Sequence, residues 1–198
     1  QLLRCRVTLD IITEKALVQF YSVTPEGKTL VKHAECSITF PSAADAEAAA
    51  QASAGEILKH MIELRQGIED NDRVQKLAGS TGYQLVSSLA SYDAEYKGVI
   101  EVVMDSKNLE AVAKVKCNPV TAHGTKVAGK YKVNPYLIDN FGQPALFIMN
   151  ANDHADLDKE VFVNHGWTSL HFYKEVSVEK VYHSYVKMTG PKEDGMYS

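Results

Sequence analysis

The sequence predicts an α+β protein built as two related halves, and three observations predict it. Residues 2–40 carry apolar side chains at alternate positions, the pattern of half-buried strands. At Pro41-Ser42 the composition turns abruptly to Ala, Glu, Lys and Gln, which favour helix. Beyond that helix, strand-like pieces flank a second helical run over 135–150, so strands, helix and strands recur.

Taken in order, LLRCRVTLD and ALVQFYSV show partial period-two alternation, and TLVKHAECSITF shows it clearly. TPEGKT supplies Pro and Gly between the second and third strands, a turn signal, so 2–40 reads as an antiparallel meander. The run from Ser42 to Leu77 is expected to be helical with one break near Gly55. Ser42 and Asp45 form a capping box in which Asp replaces the usual Glu. Ile57, Met61, Ile62 and Leu64 make one apolar stripe, which predicts a connecting helix lying on a sheet surface. GYQLVSSLASYD is expected to be a short helix ending near Asp93, and two strands should surround the turn MDSKN. NPVTAHGTKVAGKYKVNP reads as a polar loop, and NANDHADLDKE as another after the 135–150 helix. VFVNHGWTSLHFYKEV and KVYHSYVKMT are expected to be the last strands.

The 198 residues are 45% hydrophobic and 23% charged, with a net charge of -4, an ordinary globular balance. No basic run suggests a nucleic-acid footprint, and runs such as PALFIM are far shorter than the roughly 20 residues that cross a bilayer. Cys5, Cys36 and Cys117 are widely spaced, with neither a CxxC pair nor a disulfide framework, and no signal-peptide pattern is present. A reducing, cytoplasmic setting is the expectation. The chain opens without Met inside a strand-like stretch and stops abruptly at GPKEDGMYS, so both ends are expected to be cut from a longer polypeptide.

Seven histidines invite metal hypotheses, and none has ligand spacing. His33 and Cys36 fall on opposite faces of a strand. His154, Asp156 and Asp158 lack the Gly and terminal Glu of a calcium loop. His123 is flanked by Lys126, Lys130 and Lys132, so nothing there would bury and tune a base. No metal is expected. Asp139 is the stronger candidate. Pro135 suits the first turn of a helix, and an Asp near that start gains about 0.3–1 kcal/mol from the helix dipole. That charge alone would account for Asp139, were the helix not apolar nearly all round and therefore expected to be buried. Gln143, one turn on, puts a second polar group on the same face, and two such groups on a buried helix point to a pocket. In NHGW, Asn164 and His165 either line the same cavity or simply end a strand that turns at Gly166, with Trp167 in the core.

These segments resemble the product template domain of fungal non-reducing polyketide synthases. YQLVSSLASYDAEYKGVIEVVMDSKNLEAVAKVK, NPYLIDNFGQPALFIMNAND, VFVNHGWTSLHF and YHSYVKM carry the resemblance, with the early LLRCRV and FYSV strands, in the family's order. It implies a partial double hot-dog fold, two curved antiparallel sheets each wrapping a helix. Residues 1–40 would be closing strands of the first hot dog, 41–78 a helical connection and 79–198 the second, its C-terminal strands missing. It implies regiospecific aldol cyclisation and aromatisation of a poly-β-ketone held on the phosphopantetheine of an acyl carrier protein, with no other cofactor. Partners would be that carrier, other synthase domains and a second copy in a homodimer.

The implied catalytic pair is Asp139 with a His from a segment upstream of these strands. Gln143, Asn164, His165 and Trp167 would contact substrate, and the lysines of 116–132 would greet the carrier or its arm. The family's usual Ser and His after the Asp are here Asn140 and Gln143. Pro135-x3-Asp139-x3-Gln143 leans toward β-hydroxyacyl dehydratases, the alternative chemistry. A non-catalytic acyl-binding or scaffold module is the alternative from another class.

Overall fold

The opening strands pair as their alternation predicts. β1 (Leu2–Asp10), β2 (Lys15–Val23) and β3 (Thr29–Thr39) form an antiparallel meander, with Cys5 opposite Phe20 and Val18 opposite Cys36. The structure, a computed structural model, describes residues 2–70, 74–117, 133–193 and 195–198. It falls into two units, Gln1–Gln51 and Ala52–Ser198. In the first, the Asp10 carboxylate accepts the amides of Ile12 and Thr13 to turn β1 into β2. Gly27, at φ +88, closes the TPEGKT turn by donating its amide to the Thr24 carbonyl. β1 and β3 are exposed along their lengths, whereas β2 buries Ala16, Ser22 and Val23.

Helix α1 (Ala43–Asp70) carries the chain into the second unit. Half of the expected capping box forms: Ser42 Oγ accepts the Asp45 amide, and the Asp45 carboxylate takes the Ser42 hydroxyl at 2.6 Å. The expected break at Gly55 does not occur. Glycine costs about 1 kcal/mol relative to Ala in a helix, and the alanines and glutamates around it absorb that. The apolar stripe is narrower than expected, because Ile57 and Ile62 stay exposed. Met61, Leu64 and Ile68, at i, i+3 and i+7, are the seam that packs on Val74, Val103 and Val112. Beside it, His60 stacks on Tyr185 and faces Glu110, which Lys187 pairs at 2.6 Å.

The second unit holds a sheet in the order β4 (Val74–Ala78), β5 (Val99–Asp105), β6 (Glu110–Lys116), β7 (Val181–Lys187), every pair antiparallel. Helix α2 (Gly79–Leu85) precedes β5, and α3 (Pro135–Asn150) precedes β7. One sheet face, through Val102, Met104, Ala111, Ala113 and Val115, packs on Leu137, Phe147 and Ile148 of α3. The small Ala111 and Ala113 let the helix approach β6 closely. Antiparallel strands backed on a buried helix agree with a partial hot-dog fold within an α+β class. Among the described residues, no helix is long and apolar enough to cross a membrane.

Three local expectations give way to tertiary structure. Gln75–Leu77, rich in helix formers, is strand β4: Val74 is buried and Leu77 half-buried while the backbone completes a ladder with β5. The helix expected over 82–93 is the seven-residue α2. It starts three residues earlier, at Gly79, where the chain meets β5 so closely that a Cβ would lie 1.9 Å from the Val99 carbonyl, and it ends at Leu85. Residues 161–176 are irregular. Their alternation is real, but among the described residues no strand offers them a ladder.

Phe147 is fully buried between α2 and the sheet. Phe147→Ala should destabilise the protein by about 3–5 kcal/mol. A denaturant midpoint close to wild type would show that this contact is not central.

Candidate functional site

Helix α3 begins where the sequence places it. Asn134 accepts the amides of Tyr136 (2.9 Å) and Leu137 (3.3 Å), and Pro135 fills the first helical position, where its missing N–H is no loss. Asp139 is the fifth helical residue and thus lies beyond the first turn, so the dipole gives it less than its nearness to Pro135 suggested. Pro144 removes a backbone donor inside the helix, and Ser184 of β7 donates to the nearby Phe141 carbonyl at 2.8 Å.

The helix is not buried all round, contrary to expectation. Its inner face carries Leu137, Asn140, Gln143, Pro144, Phe147 and Ile148, while Asp139 is exposed at the rim. The reason is angular: Asp139 is about 100° of helical turn from Asn140, so its polar neighbour one turn on, not Asn140, shares its edge. That neighbour is Gln143, 3% exposed, and the two are joined. Gln143 Nε2 donates to Asp139 Oδ2 at 2.7 Å and to the Tyr96 carbonyl at 2.8 Å. Its Oε1 accepts the Tyr83 hydroxyl at 2.6 Å. Tyr83 in turn accepts the Val99 amide at 3.1 Å. Asn140, fully buried, accepts the Gly98 amide at 2.9 Å. A Cβ on Gly98 would come within 2.4 Å of the Asn140 amide nitrogen, so only glycine lets this loop approach.

Phenols surround the carboxylate. Burial raises Tyr83, Tyr92 and Tyr96 above the ordinary tyrosine value, and the Asp139 charge adds to the rise in each. Tyr83 stands edge-on to Phe147 and Tyr92, and Tyr96 edge-on to Tyr136. Tyr83 also lines a hollow of about 320 Å³ with Ser80, Gln84, Ser87 and Lys97. Asp139 is not among the residues lining that hollow.

Of the other residues singled out in the sequence, Trp167 reaches the same helix. Its ring edge lies 3.5 Å from where a Gly142 Cβ would stand, one turn from Asp139, yet the side chain is 58% exposed and no core residue. Asn164 accepts the Gly166 amide in its own turn, and His165 is exposed; neither shows a hydrogen bond to Asp139 or Gln143. His33 and Cys36 are both exposed, and Asp156 spends its carboxylate on the Asp158 amide and Lys159. Among the described residues no group of His, Cys, Asp and Glu could hold a metal. His123 and the lysines at 126, 130 and 132 lie outside the described residues. Residue patterns alone missed Tyr83, Tyr96 and Asn140. The available signals were GYQL and EYKG, aromatic hydroxyls beside glycines that permit close approach.

No protein-family model matches the chain. The non-reducing polyketide synthase pks27 of Aspergillus flavus is 59% identical over 197 residues, covering 100% of this chain. The non-reducing polyketide synthase albA of Aspergillus niger is 36% identical over 198 residues, again 100% of the chain. A conidial yellow pigment biosynthesis polyketide synthase of Emericella nidulans is 36% identical over 197 residues, 98% of the chain. The chain spans 9% of the length of each of these synthases.

A negative charge beside a phenol disfavours phenolate, so removing it lowers the pH at which the phenol ionises. Asp139→Asn should therefore move the ionisation of Tyr92 and Tyr96 to lower pH, followed by ultraviolet phenolate absorbance. An unmoved titration would mean that the carboxylate does not face these rings.

Proposed function

Because the chain matches a segment of fungal non-reducing polyketide synthases along its whole length, we propose that it forms part of a product template domain. In this reading it directs the regiospecific aldol cyclisation and aromatisation of a poly-β-ketone. The chain would be presented as a thioester on the phosphopantetheine arm of an acyl carrier protein, with no further cofactor. The observation that carries the proposal is the Asp139 carboxylate, held by Gln143 at 2.7 Å on the edge of a buried helix.

The chemistry needs a base, a fixed substrate and a place for negative charge. A histidine supplied from elsewhere in the synthase takes a proton from a methylene between two ketones. Asp139 orients that imidazole and stabilises it once protonated. The enolate carbon attacks one ketone carbon, forming the new C–C bond, and the resulting alkoxide is protonated. Loss of water from that aldol then gives the double bond that leads to the aromatic ring. Both amide hydrogens of Gln143 are already donated, to Asp139 and to the Tyr96 carbonyl. Gln143 therefore acts through Asp139 instead of contacting substrate. Trp167, exposed against α3, offers a flat apolar surface to the folded chain, and Asn164 and His165 belong to the same exposed segment.

A β-hydroxyacyl dehydratase-type site is the second reading, favoured by the same Asp139–Gln143 hydrogen bond across one helical turn. Product analysis separates the two, because a dehydratase variant would accumulate hydroxy intermediates and not misfolded rings.

Asp139→Asn in the full-length synthase should lower the regiospecific product by about 100-fold or more, the scale of losing acid–base assistance. Spontaneously cyclised by-products should rise in its place, as read by chromatography with mass detection. A normal product pattern from that variant ends the assignment.

A further inference from the structure

Asp139 depends on more than its immediate neighbour. We infer that Tyr83 is a positioning residue: its hydroxyl, through Gln143, fixes how the Asp139 carboxylate is aimed. The inference rests on the role proposed for Asp139 above, and it concerns residues on α2 and α3 that are far apart in sequence.

The hydrogen-bond chain has a single direction. The Val99 backbone N–H can only donate, and it donates to the Tyr83 oxygen at 3.1 Å. The phenol's one proton then has two acceptors in reach, Gln143 Oε1 at 2.6 Å and the Tyr96 carbonyl at 3.3 Å. The shorter contact takes it. With Oε1 so engaged, the Gln143 NH₂ group faces Asp139 Oδ2 and the Tyr96 carbonyl, neither of which can donate to it. A flipped amide would set an oxygen against both acceptors and leave the Tyr83 proton facing an NH₂ group. The two acceptors at the nitrogen end cannot exchange their role, and they fix which way the amide faces Tyr83.

The ring is held as firmly as the hydroxyl. Phe147 and Tyr92 pack edge-on against it at 5.3 and 5.7 Å between centroids, and the residue is 9% exposed. Burial raises the phenol, so it keeps the proton it donates throughout the neutral range. Asp139 has one oxygen, Oδ2, on the Gln143 amide, and that contact sets the direction in which Oδ1 is presented. Partners that orient metal ligands without touching the metal change affinity or activity by about 10–100-fold, and the same scale is expected for a partner that orients this carboxylate.

The test uses the full-length synthase and the ratio of regiospecific to spontaneously cyclised product, with total polyketide output as control. Tyr83→Phe keeps the ring and deletes only the hydroxyl. It should lower the ratio about tenfold while total output holds. Gln143→Leu should give a similar loss, and the double variant no more than the larger single loss, because both cut one chain of bonds. A normal ratio from Tyr83→Phe would show that only ring packing matters, and additive losses would show two unrelated defects; either overturns the inference. Should Tyr83→Phe fail to fold, Gln143→Leu cuts the chain one bond later, and a normal ratio there overturns it as well. Asp139→Asn run in parallel separates the two levels. A defective Asp139→Asn with a normal Tyr83→Phe sinks the positioning role alone, whereas a normal Asp139→Asn sinks both.

Discussion

The second unit depends on burying α3 against β5, β6 and β7. Leu137, Phe147 and Ile148 disappear beneath a sheet whose central strand offers Ala111 and Ala113. Apolar contact drives that packing, but it also takes three amide side chains out of water: Asn140, Gln143 and Asn150. A buried amide must find partners, and these three reach two irregular segments, the stretch before β5 and the one around Phe162. Asn140 takes the Gly98 amide, Gln143 the Tyr96 carbonyl, and Asn150 both the amide and the carbonyl of Phe162. The hydrophobic core thus dictates where two loops lie, including the one that brings Tyr96 next to Asp139.

Much of this was legible in the sequence because it is local. The meander over 2–40, the Ser42 cap, the MDSKN turn and the Pro135 helix start are each fixed by residues within a few positions of one another. The failures share a cause. Gln75–Leu77 favours helix by composition and becomes strand because β5 supplies a ladder from far along the chain. Residues 161–176 alternate like a strand and stay irregular for want of a neighbour. Asp139 and Gln143 were visible as a pair because one helical turn joins them. Tyr83 was invisible because its link to Gln143 spans 60 positions.

The site follows the same division. A carboxylate at the rim of a helix is a common surface feature, and exposure alone says nothing about reactivity. What distinguishes Asp139 is the order beneath it: a fully paired amide, a buried phenol and a backbone N–H, linked in one chain of hydrogen bonds. Electrostatic preorganisation of this kind keeps a charged group aimed without reorganisation when its partner arrives. Along its whole length the chain matches part of much longer synthases, and the proposed cyclisation draws its base from another segment of such a synthase.

The three amide tethers have an evolutionary corollary. Each is one side chain on a rigid rod gripping main-chain atoms of a single loop, and main-chain atoms are indifferent to sequence. Insertions or replacements in one loop leave the other anchored, provided the gripped peptide returns to its place. A scaffold arranged this way can diversify the walls around a constant rod piecemeal, one loop at a time, without renegotiating its core.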